Sequence, residues 1–375
     1  PGRPRLLQEH ASDKEIHAVS IVTPNHWHAL ATIWACQAGK HVYIEKPACH
    51  NIFEGRKMVE ASRKYNVLVQ VGHNNRSSKN VREAIKFLHD GGIGEIYMAR
   101  GLCFKARDSY GYAKDSTPPA SFHYERWLGP AQWRPYNEKR SHYSWHWYWD
   151  TGNGDTGNQG PHQFDIARWG LNKLEHPVSV CSTGGIYGFR KDESTPENQV
   201  KGTMVYGDVE TYGNSKTSQE TPNIQTAAFR YEDGTLLEFE TRGRYTNQEG
   251  KIGVEVGNIF YGSEGYLEIN GDTWSAFRRR EREPFAGSKP VEGNDGGNHF
   301  ANFLESLRAG KREMLNCEIN EGFYSASLVH LANISYRLDR KLKFMSEYEN
   351  FANDPEAALM LTRDYRPPYV VPEVV

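Results

Sequence analysis

The sequence HAVSIVTPNHWH at residues 17–28 decides the fold, because an apolar run ends there in polar residues and a helical pattern begins. The run from His17 to Thr23 lacks the polar alternation of a half-exposed strand, which is typical of a strand buried on both faces. Two further runs of this kind lie at 41–44 and 67–72, and helical patterns occupy 27–38, 52–65 and 79–90. Buried strands that alternate with helices predict a doubly wound α/β domain with a parallel sheet. We place this domain at residues 1–105.

From about Ile96 the pattern changes to short strand-like runs. These lie at 96–105, 178–189, 201–206, 224–231, 235–242, 254–261 and 266–269. Turn sequences at 232–234 and 262–265 join successive runs as hairpins do. Together they predict a large open, mainly antiparallel sheet, and helical patterns at its C-terminal side make this an α+β domain, placed at 106–346. Prolines at 367, 368 and 372 predict an extended arm over 347–375.

Composition restricts the class of protein. The 375 residues are 38 % hydrophobic, 12 % aromatic and 25 % charged, which excludes a disordered or coiled-coil chain. The formal net charge of -2 provides no overall positive charge that would attract phosphate backbones or anionic lipids. No apolar stretch approaches the roughly 20 residues that span a bilayer. We therefore expect neither nucleic acid nor a membrane as partner. Five widely spaced cysteines without a C-x-x-C pair predict neither a disulfide framework nor a cysteine zinc site.

Two polar segments follow predicted parallel strands, where an open sheet binds its ligands. Thr23-Pro24-Asn25 opens a helix, whose free N–H groups favour anions, although Thr23 or Asn25 could serve only as a helix cap. Glu45-Lys46-Pro47 follows the next strand, and the proline restricts Lys46 to an extended conformation. A lysine presented in this way can bind an alcohol oxygen or move its proton. The alternative is an exposed salt bridge at the strand end.

The chain resembles the glucose-fructose oxidoreductase and inositol dehydrogenase (Gfo/Idh/MocA) family. Three segments match in order and spacing, namely AVSIVTPNHWH at 18–28, AGKHVYIEKP at 38–47 and QVGHNNR at 70–76. The resemblance continues through GGIGEI at 91–96, WLGP at 127–130, GPHQFD at 160–165 and FYGSEG at 260–265. It therefore covers most of the chain.

This resemblance implies an N-terminal Rossmann domain that binds NAD or NADP and a C-terminal α+β domain whose sheet makes a homo-oligomer. It implies sugars, polyols or their derivatives as substrates, with Lys46 and His162 as the proton-handling pair. The predicted catalytic residues are Lys46, His162 and Asn158. The predicted cofactor contacts are Thr23, Pro24, Asn25, His28, Glu45, Lys46 and Asn74, and the predicted substrate contacts are Arg76, Trp149, Asp155, Gln159 and His162.

Two features depart from the family pattern. Many members have Asp where this chain has Asn158, and an amide can hold a hydroxyl group but cannot take its proton. Proton abstraction then falls to His162, whose ordinary pKa suits it. Asp165 could orient His162, but we favour a local structural use for it.

The second departure is that no G-x-G-x-x-G turn precedes residue 17. That turn ordinarily binds the pyrophosphate after the first strand of a dinucleotide fold. We expect at least one further strand-helix-strand unit upstream of Pro1, or else the loss of tight dinucleotide binding. Any export signal would also lie upstream, so the sequence leaves the compartment open between cytoplasmic and exported.

Aromatic residues are concentrated in one segment. Five of nine tryptophans fall within residues 127–149, where they could stack on sugar C–H faces or form a core between domains. The pairs His142/His146 and His26/His28 have spacings that can chelate metal, but no matching carboxylates accompany them. We predict no metal site.

The function expected from these observations is an NAD(P)-dependent oxidoreductase that acts on the hydroxyl group of a sugar, polyol or glycoside. Two alternatives remain open. One is a glycosidase or lyase that uses tightly bound NAD in a transient oxidation and elimination cycle. The other is a sugar-binding or assembly protein without catalytic activity.

Overall fold

The structure is a computed structural model that describes residues 13–188, 190–191, 216–271, 273–288 and 298–375. The strands are β1 (Ala18–Ile21), β2 (His41–Ile44), β3 (Val69–Val71), β4 (Ile96–Cys103), β5 (Ser179–Gly185), β6 (Arg190–Lys191), β7 (Lys216–Thr217), β8 (Ile224–Arg230), β9 (Leu236–Arg242), β10 (Val256–Gly262), β11 (Tyr266–Asn270), β12 (Thr273–Phe277), β13 (Ala286–Gly287), β14 (Leu342–Met345) and β15 (Asn350–Phe351). The α-helices are α1 (Asn25–Gln37), α2 (Ile52–Lys64), α3 (Lys79–His89), α4 (Tyr124–Leu128), α5 (Gly154–Asn158), α6 (Gly160–Gly170), α7 (His299–Ala309), α8 (Ile319–Leu338) and α9 (Pro355–Leu359). The strand predicted at 201–206 lies outside the described residues.

The first sheet is parallel, in the order β1-β2-β3. Val42, Ile44 and Val69 are completely buried, because α1 and α2 lie on one face of the sheet and α7 on the other. The side chain of Asn51 caps α2 by accepting a hydrogen bond from the backbone N–H of Glu54. The predicted Rossmann-like alternation of strands and helices is confirmed.

The second sheet has ten strands in the order β13-β12-β11-β10-β4-β9-β8-β5-β14-β15. Every adjacent pair is antiparallel except β4 and β9, which are parallel, so the prediction of a mainly antiparallel sheet is confirmed. β4 lies in the middle of this sheet although its residues fall before the predicted boundary at 105. The strand predicted at 96–105 therefore pairs with strands that follow the boundary, and the boundary at 105 stays a prediction.

The ten-stranded sheet has one covered face and one open face. Ala227, Phe229, Leu237 and Phe239 point inward and are buried under α6 and α8. The alternate residues of the same strands point outward, and no helix among the described residues covers them. This open face consists of Cys181, Thr183, Thr226, Ala228, Arg230, Leu236, Glu238, Glu240, Arg242 and Arg100.

Helix α8 packs against both sheets. A Cβ atom added to Gly55 of α2 would lie 2.2 Å from the ring of Phe323, and one added to Gly322 would lie 2.3 Å from Val71 of β3. Just before α8, the carbonyl oxygen of Cys317 accepts a hydrogen bond from the backbone N–H of Val71 at 2.9 Å. These close approaches, which need glycine at both helix positions, join the two domains.

The C-terminal segment is more structured than the extended arm predicted at 347–375. It contains β15 and α9, and its last residues return to the body of the protein, where Tyr369, Val371 and Val375 are buried. Among the described residues, no helix combines the length and the apolar character needed to cross a bilayer.

Candidate functional site

The candidate site lies at one edge of the first sheet. Because β1, β2 and β3 are parallel, Thr23, Lys46 and Asn74 follow their carboxyl ends on the same side. Ligands of open α/β sheets bind at this edge. The structure therefore brings together the three strand ends at which the sequence predicts cofactor contacts.

The start of α1 presents polar groups at this edge. Pro24 is the N-cap residue, and no side chain caps the helix there. Asn25 is buried, and its Nδ2 atom has no hydrogen-bond partner among the described residues. On the neighbouring strand, the Glu45 carboxylate lies against Gly72, where an added Cβ would meet it at 3.0 Å.

His28 contacts backbone oxygens in the segments that follow two of the strands. Its ring nitrogens lie 2.8 Å from the carbonyl oxygen of Thr23 and 2.7 Å from that of Pro47. Burial lowers the pKa of His28 to about 4, although both carbonyl oxygens oppose that shift. Because backbone groups occupy both nitrogens, His28 holds the loop that carries Lys46, which differs from the direct cofactor contact predicted for its ring.

Lys46 reaches across to the second domain, where it meets Asn158. Its Nζ donates to the backbone oxygen of Asn158 at 2.5 Å and to the Oδ1 of the same residue at 3.5 Å. Burial lowers the pKa of Lys46 to about 8; Glu45 opposes this shift, and the charges of Lys105 and Arg107 add to it. A lysine that titrates near neutral pH can both stabilise an oxygen and exchange a proton with it.

His162 lies at the start of α6, beside a cavity of about 420 Å³. Asn74 and Gln159 line the same cavity, so one predicted cofactor contact and two predicted substrate contacts share one space. Burial holds the pKa of His162 well below 6.5, and the charge of Lys46 lowers it further. The ring is therefore neutral at physiological pH, which is the form that accepts a proton.

Asp155 lies under a smaller neighbouring cavity of about 290 Å³, which Arg107, Tyr143 and Trp147 also line. Its carboxylate accepts a hydrogen bond from Nε of Arg107 at 2.8 Å and is buried. Arg107 also lies over the Trp147 ring, 5.5 Å from its centroid. Asp155 thus holds Arg107 against Trp147 in the lining of this smaller cavity.

Arg76 is not available to a ligand as predicted. It is 7 % exposed, and its Nε and Nη2 atoms donate to the two carboxylate oxygens of Asp165, at 2.8 and 2.9 Å. Ser325 of α8 donates to the same carboxylate at 2.7 Å. Asp165 therefore makes a structural ion pair, in agreement with the structural use favoured for it, and Arg76 is corrected from a substrate contact to its partner.

Trp149 lines a third and larger cavity, of about 820 Å³. That cavity has no lining residue in common with the one beside His162, so the structure does not bring Trp149 to the predicted substrate. Its ring instead lies under the guanidinium of Arg337, 5.2 Å from the centroid.

The His26/His28 pair does not present metal ligands. The nitrogens of His26 lie 3.3 and 2.9 Å from the carbonyl oxygens of Thr151 and Trp127, and those of His28 are occupied as described. His26 instead ties α1 to the aromatic segment, and it contacts the ring of Trp127 edge-on.

Sequence reasoning missed three residues that surround this site. His73 follows β3 and lies edge-on to His162, with 6.2 Å between the ring centroids. Arg107 and Lys105 follow β4, and Lys105 donates to Gln159 at 2.8 Å. For His73 a signal was present, since the residue lies just after the third parallel strand. Lys105 and Arg107 follow β4 of the second sheet, where no cofactor or substrate contact is predicted.

Residues 5–73 match a family model described as oxidoreductase family, NAD-binding Rossmann fold. Residues 106–184 and 229–371 match the model for the C-terminal alpha/beta domain of the same family.

Individual relatives match only part of the chain. The chain is 29 % identical over 171 residues to levoglucosan dehydrogenase from Pseudarthrobacter phenanthrenivorans, which covers 46 % of this chain and 37 % of that protein. It is 28 % identical over 88 residues to myo-inositol 2-dehydrogenase from Thermotoga maritima, covering 24 % and 26 %. These matches span well under half of the length of either relative.

Two solved structures share the fold. A levoglucosan dehydrogenase in complex with NADH and levoglucosan has a TM-score of 0.61 at 19 % identity, with 90 % of this chain and 82 % of that chain covered. An aldose-aldose oxidoreductase from Caulobacter crescentus has a TM-score of 0.60 at 18 % identity, with the same coverage. At these identities, the likeness establishes the fold alone.

The residues at the sheet edge fit a nicotinamide dinucleotide. Nδ2 of Asn25 and Nδ1 of His162 are buried polar atoms that find no partner in the described part of the chain, and such atoms require partners. The strand ends, the uncapped start of α1 and the cavity beside His162 supply hydrogen-bonding groups where such folds bind their cofactor. Asn25, Glu45, Lys46 and Asn74 would hold it.

Proposed function

The chain belongs to the Gfo/Idh/MocA family of oxidoreductases, and from this we propose that it acts as an NAD(P)-dependent oxidoreductase on a hydroxyl group of a sugar or polyol. The observation that carries the proposal is the meeting of Lys46 with Asn158 at the carboxyl edge of the first sheet, beside the cavity of His162. The bound cofactor would supply the hydride acceptor.

The residues of this chain would orient the substrate hydroxyl group and take its proton. Lys46 and Asn158 would hold the oxygen by hydrogen bonds, and the positive charge of Lys46 would stabilise the oxygen as its proton leaves. His162, which is neutral at physiological pH, would take that proton. Asn158 can only position the oxygen, because an amide does not accept a proton at this pH.

The lining of the cavity supports an uncharged, hydroxylated substrate. Its polar side chains are amides and imidazoles, from Asn74, Asn75, Gln159, His162, Gln163, Asn298 and His299. Such groups pair with hydroxyl groups, each acting as donor or acceptor. This substrate class agrees with the names of two relatives, a levoglucosan dehydrogenase and a myo-inositol dehydrogenase.

The proposal is tested by following NADH and NADPH absorbance with the full-length protein and a panel of sugars, anhydrosugars and inositols. We expect steady accumulation of reduced cofactor with at least one of them. Lys46→Ala and His162→Ala should each lower kcat by roughly 10²-fold or more, whereas Lys86→Ala, which removes an exposed lysine of α3, should not. Product release without net reduction would favour the glycosidase or lyase alternative, and absence of dinucleotide binding would favour the non-catalytic one.

We also propose that the protein forms a homo-oligomer through the open face of the ten-stranded sheet. Supporting this are the uncovered small residues Thr226 and Ala228 at its centre. Beside them lies a network of ion pairs in which Arg100 meets Glu249 at 2.7 Å and Glu238 at 3.2 Å. Small residues flanked by charges of both signs suit contact between two copies of one surface.

A further inference from the structure

Two imidazole rings share a buried contact beneath the candidate site. His73 is 1 % exposed, and its ring lies edge-on to that of His162, at an interplanar angle of 84°. Both nitrogens of His73 and Nδ1 of His162 are buried, and none has a hydrogen-bond partner among the described residues. Buried nitrogens without partners are uncommon in folded proteins, and a catalytic role is one of the reasons for which they are kept.

The far side of His73 faces a fixed negative charge. Nδ1 of His73 lies 4.0 Å from Oδ2 of Asp165. Burial alone would raise the pKa of Asp165, but Arg76 and the other cations around it hold it well below 3.8, so the carboxylate stays ionised. His73 therefore lies between His162, which lines the cavity, and Asp165, which carries a permanent negative charge.

This cluster suits a proton better than a metal ion. Ligand atoms of His73, Asp165 and Cys317 lie within 4.8 Å of one another, which is close enough for chelation. However, both carboxylate oxygens already accept hydrogen bonds from Arg76, and Arg168 lies 3.9 Å from one of them. Two guanidinium groups oppose a divalent cation, whereas one proton on an imidazole adds a single charge beside the carboxylate.

We propose that His73 is a positioning residue that receives a proton from His162 during the reaction. This proposal rests on the proposed function. The substrate O–H bond breaks and its proton binds Nε2 of His162; the Nδ1–H bond of His162 then breaks and that proton binds His73. His73 becomes an imidazolium beside Asp165, and His162 returns to a neutral ring. A rotation about χ2 of either ring, or one bridging water, would make the connection.

The charges around the two rings determine the expected pH dependence. Burial lowers the pKa of His73 to about 4; Asp165 opposes this shift, and Arg76, His299 and Arg168 add to it. Burial also disfavours a proton on His162, as do Lys46, Lys105 and, once it is itself protonated, His73, whereas Asp165 favours it. Because a proton can reside on either ring, the pair binds it more tightly than one ring would alone. Removal of His73 should therefore lower the pKa at which the base loses its activity.

The test compares His73→Phe, which retains an aromatic ring, with His73→Gln, which is polar but cannot be protonated. In single turnovers of the full-length protein with the cofactor and the best substrate, we expect both variants to slow reduction at least tenfold. The acid limb of kcat/KM should move to lower pH. In the wild type, the rate in H2O–D2O mixtures should vary with the D2O fraction as it does for a reaction that transfers two protons. In either variant, it should vary as it does for a reaction that transfers one proton.

A matched control is His330→Phe, because His330 is another buried histidine, on α8, that contacts Cys49 and plays no part in the proposed relay. It should leave the pH profile and the isotope dependence unchanged, with melting temperatures recorded for all variants. If either folded His73 variant retains the wild-type rate, acid limb and isotope dependence, His73 only fills space and the proposal is overturned. Zinc-dependent, chelator-sensitive activity that requires His73 would also overturn it. A wild type that reduces no cofactor with any substrate would instead refute the proposed function.

Discussion

Lys46 titrates in the range in which enzymes are ordinarily assayed. Its pKa is lowered by burial from 10.5 to about 8, so its ammonium form is lost as the pH rises through 8. If that charge holds the substrate oxygen, kcat/KM should fall about tenfold per pH unit above pH 8. Lys46→Arg, which stays protonated, should lack this limb while its kcat is lower, because the guanidinium has a different shape. Initial rates between pH 6 and pH 10 measure both effects.

The matching control for this profile is Lys86→Ala, which should show the same alkaline limb as the wild type. A limb near pH 8 that persists in Lys46→Arg would assign the titration to another group. Neither result depends on which sugar is used, provided that the substrate itself does not titrate in this range.

Individual site residues could be predicted only where a short segment carries them. Lys46, His162 and Asn158 were identified from the family resemblance, and two of them meet directly in the structure. The engagement of His28 with two carbonyl oxygens could not be predicted, because it depends on where Pro47 lies in space. Arg76 was misassigned because its partner Asp165 is 89 residues away in the sequence.

The contact between α2 and α8 leaves no room for a methyl group. In Gly55→Ala, the new Cβ would overlap the ring of Phe323. Overpacking of this kind costs about 1–3 kcal/mol, whereas alanine gains roughly 1 kcal/mol in helix propensity over glycine. We expect net destabilisation in urea unfolding. Phe323→Leu in the same chain should remove the clash, so that the double variant is more stable than the sum of the two single changes predicts. Strict additivity would contradict the contact.

The ion pair between α6 and the turn after β3 should stabilise the fold in a pH-dependent way. Asp165→Asn leaves Arg76 buried with its contact to Glu321 and the face of the Trp169 ring, which should lower the free energy of unfolding by about 3 kcal/mol at pH 7. Since the pKa of Asp165 is lower in the folded protein, its contribution is present above its ordinary pKa of 3.8 and is lost as the pH falls below that value. The difference between the wild type and the variant should therefore be constant above pH 5 and shrink as the pH falls below 3.8 toward the lowered pKa of the folded state, as measured by denaturant unfolding from pH 7 to pH 2. A difference that stays constant down to pH 2 would argue against the ion pair.

At the level of elements, local patterns predicted helices and strands well, but not how the strands pair. The helices α1, α2 and α3 begin and end within about two residues of the predicted patterns. The strand at 96–105 was predicted, but its parallel pairing with β9 was not, because β9 lies more than 130 residues later. The hexapeptide at 152–157, GNGDTG, has the spacing of a dinucleotide turn. However, no strand precedes it, and its Gly152 makes room for the backbone of His146.

The whole molecule should assemble through the open face of the ten-stranded sheet. Thr226→Arg together with Ala228→Arg places two long charged side chains on adjacent outward positions of β8, and like charges on facing copies repel. We expect a smaller species by size-exclusion chromatography with light scattering. Glu305→Arg on α7, an exposed position away from this face, is the control and should leave the molar mass unchanged. An unchanged mass in the β8 variant would place the interface elsewhere or show that the protein is a monomer.

The position of α8 has a consequence for synthesis on the ribosome. The first sheet is made early, yet Val71 and the Gly55 side of α2 are covered by residues near 320, which emerge about 250 residues later. Until then, a nascent chain exposes apolar surface and one unpaired edge of β3, both of which favour misassociation. The N-terminal domain therefore cannot reach its final packing alone, and its maturation must wait until the residues near 320 have left the ribosome.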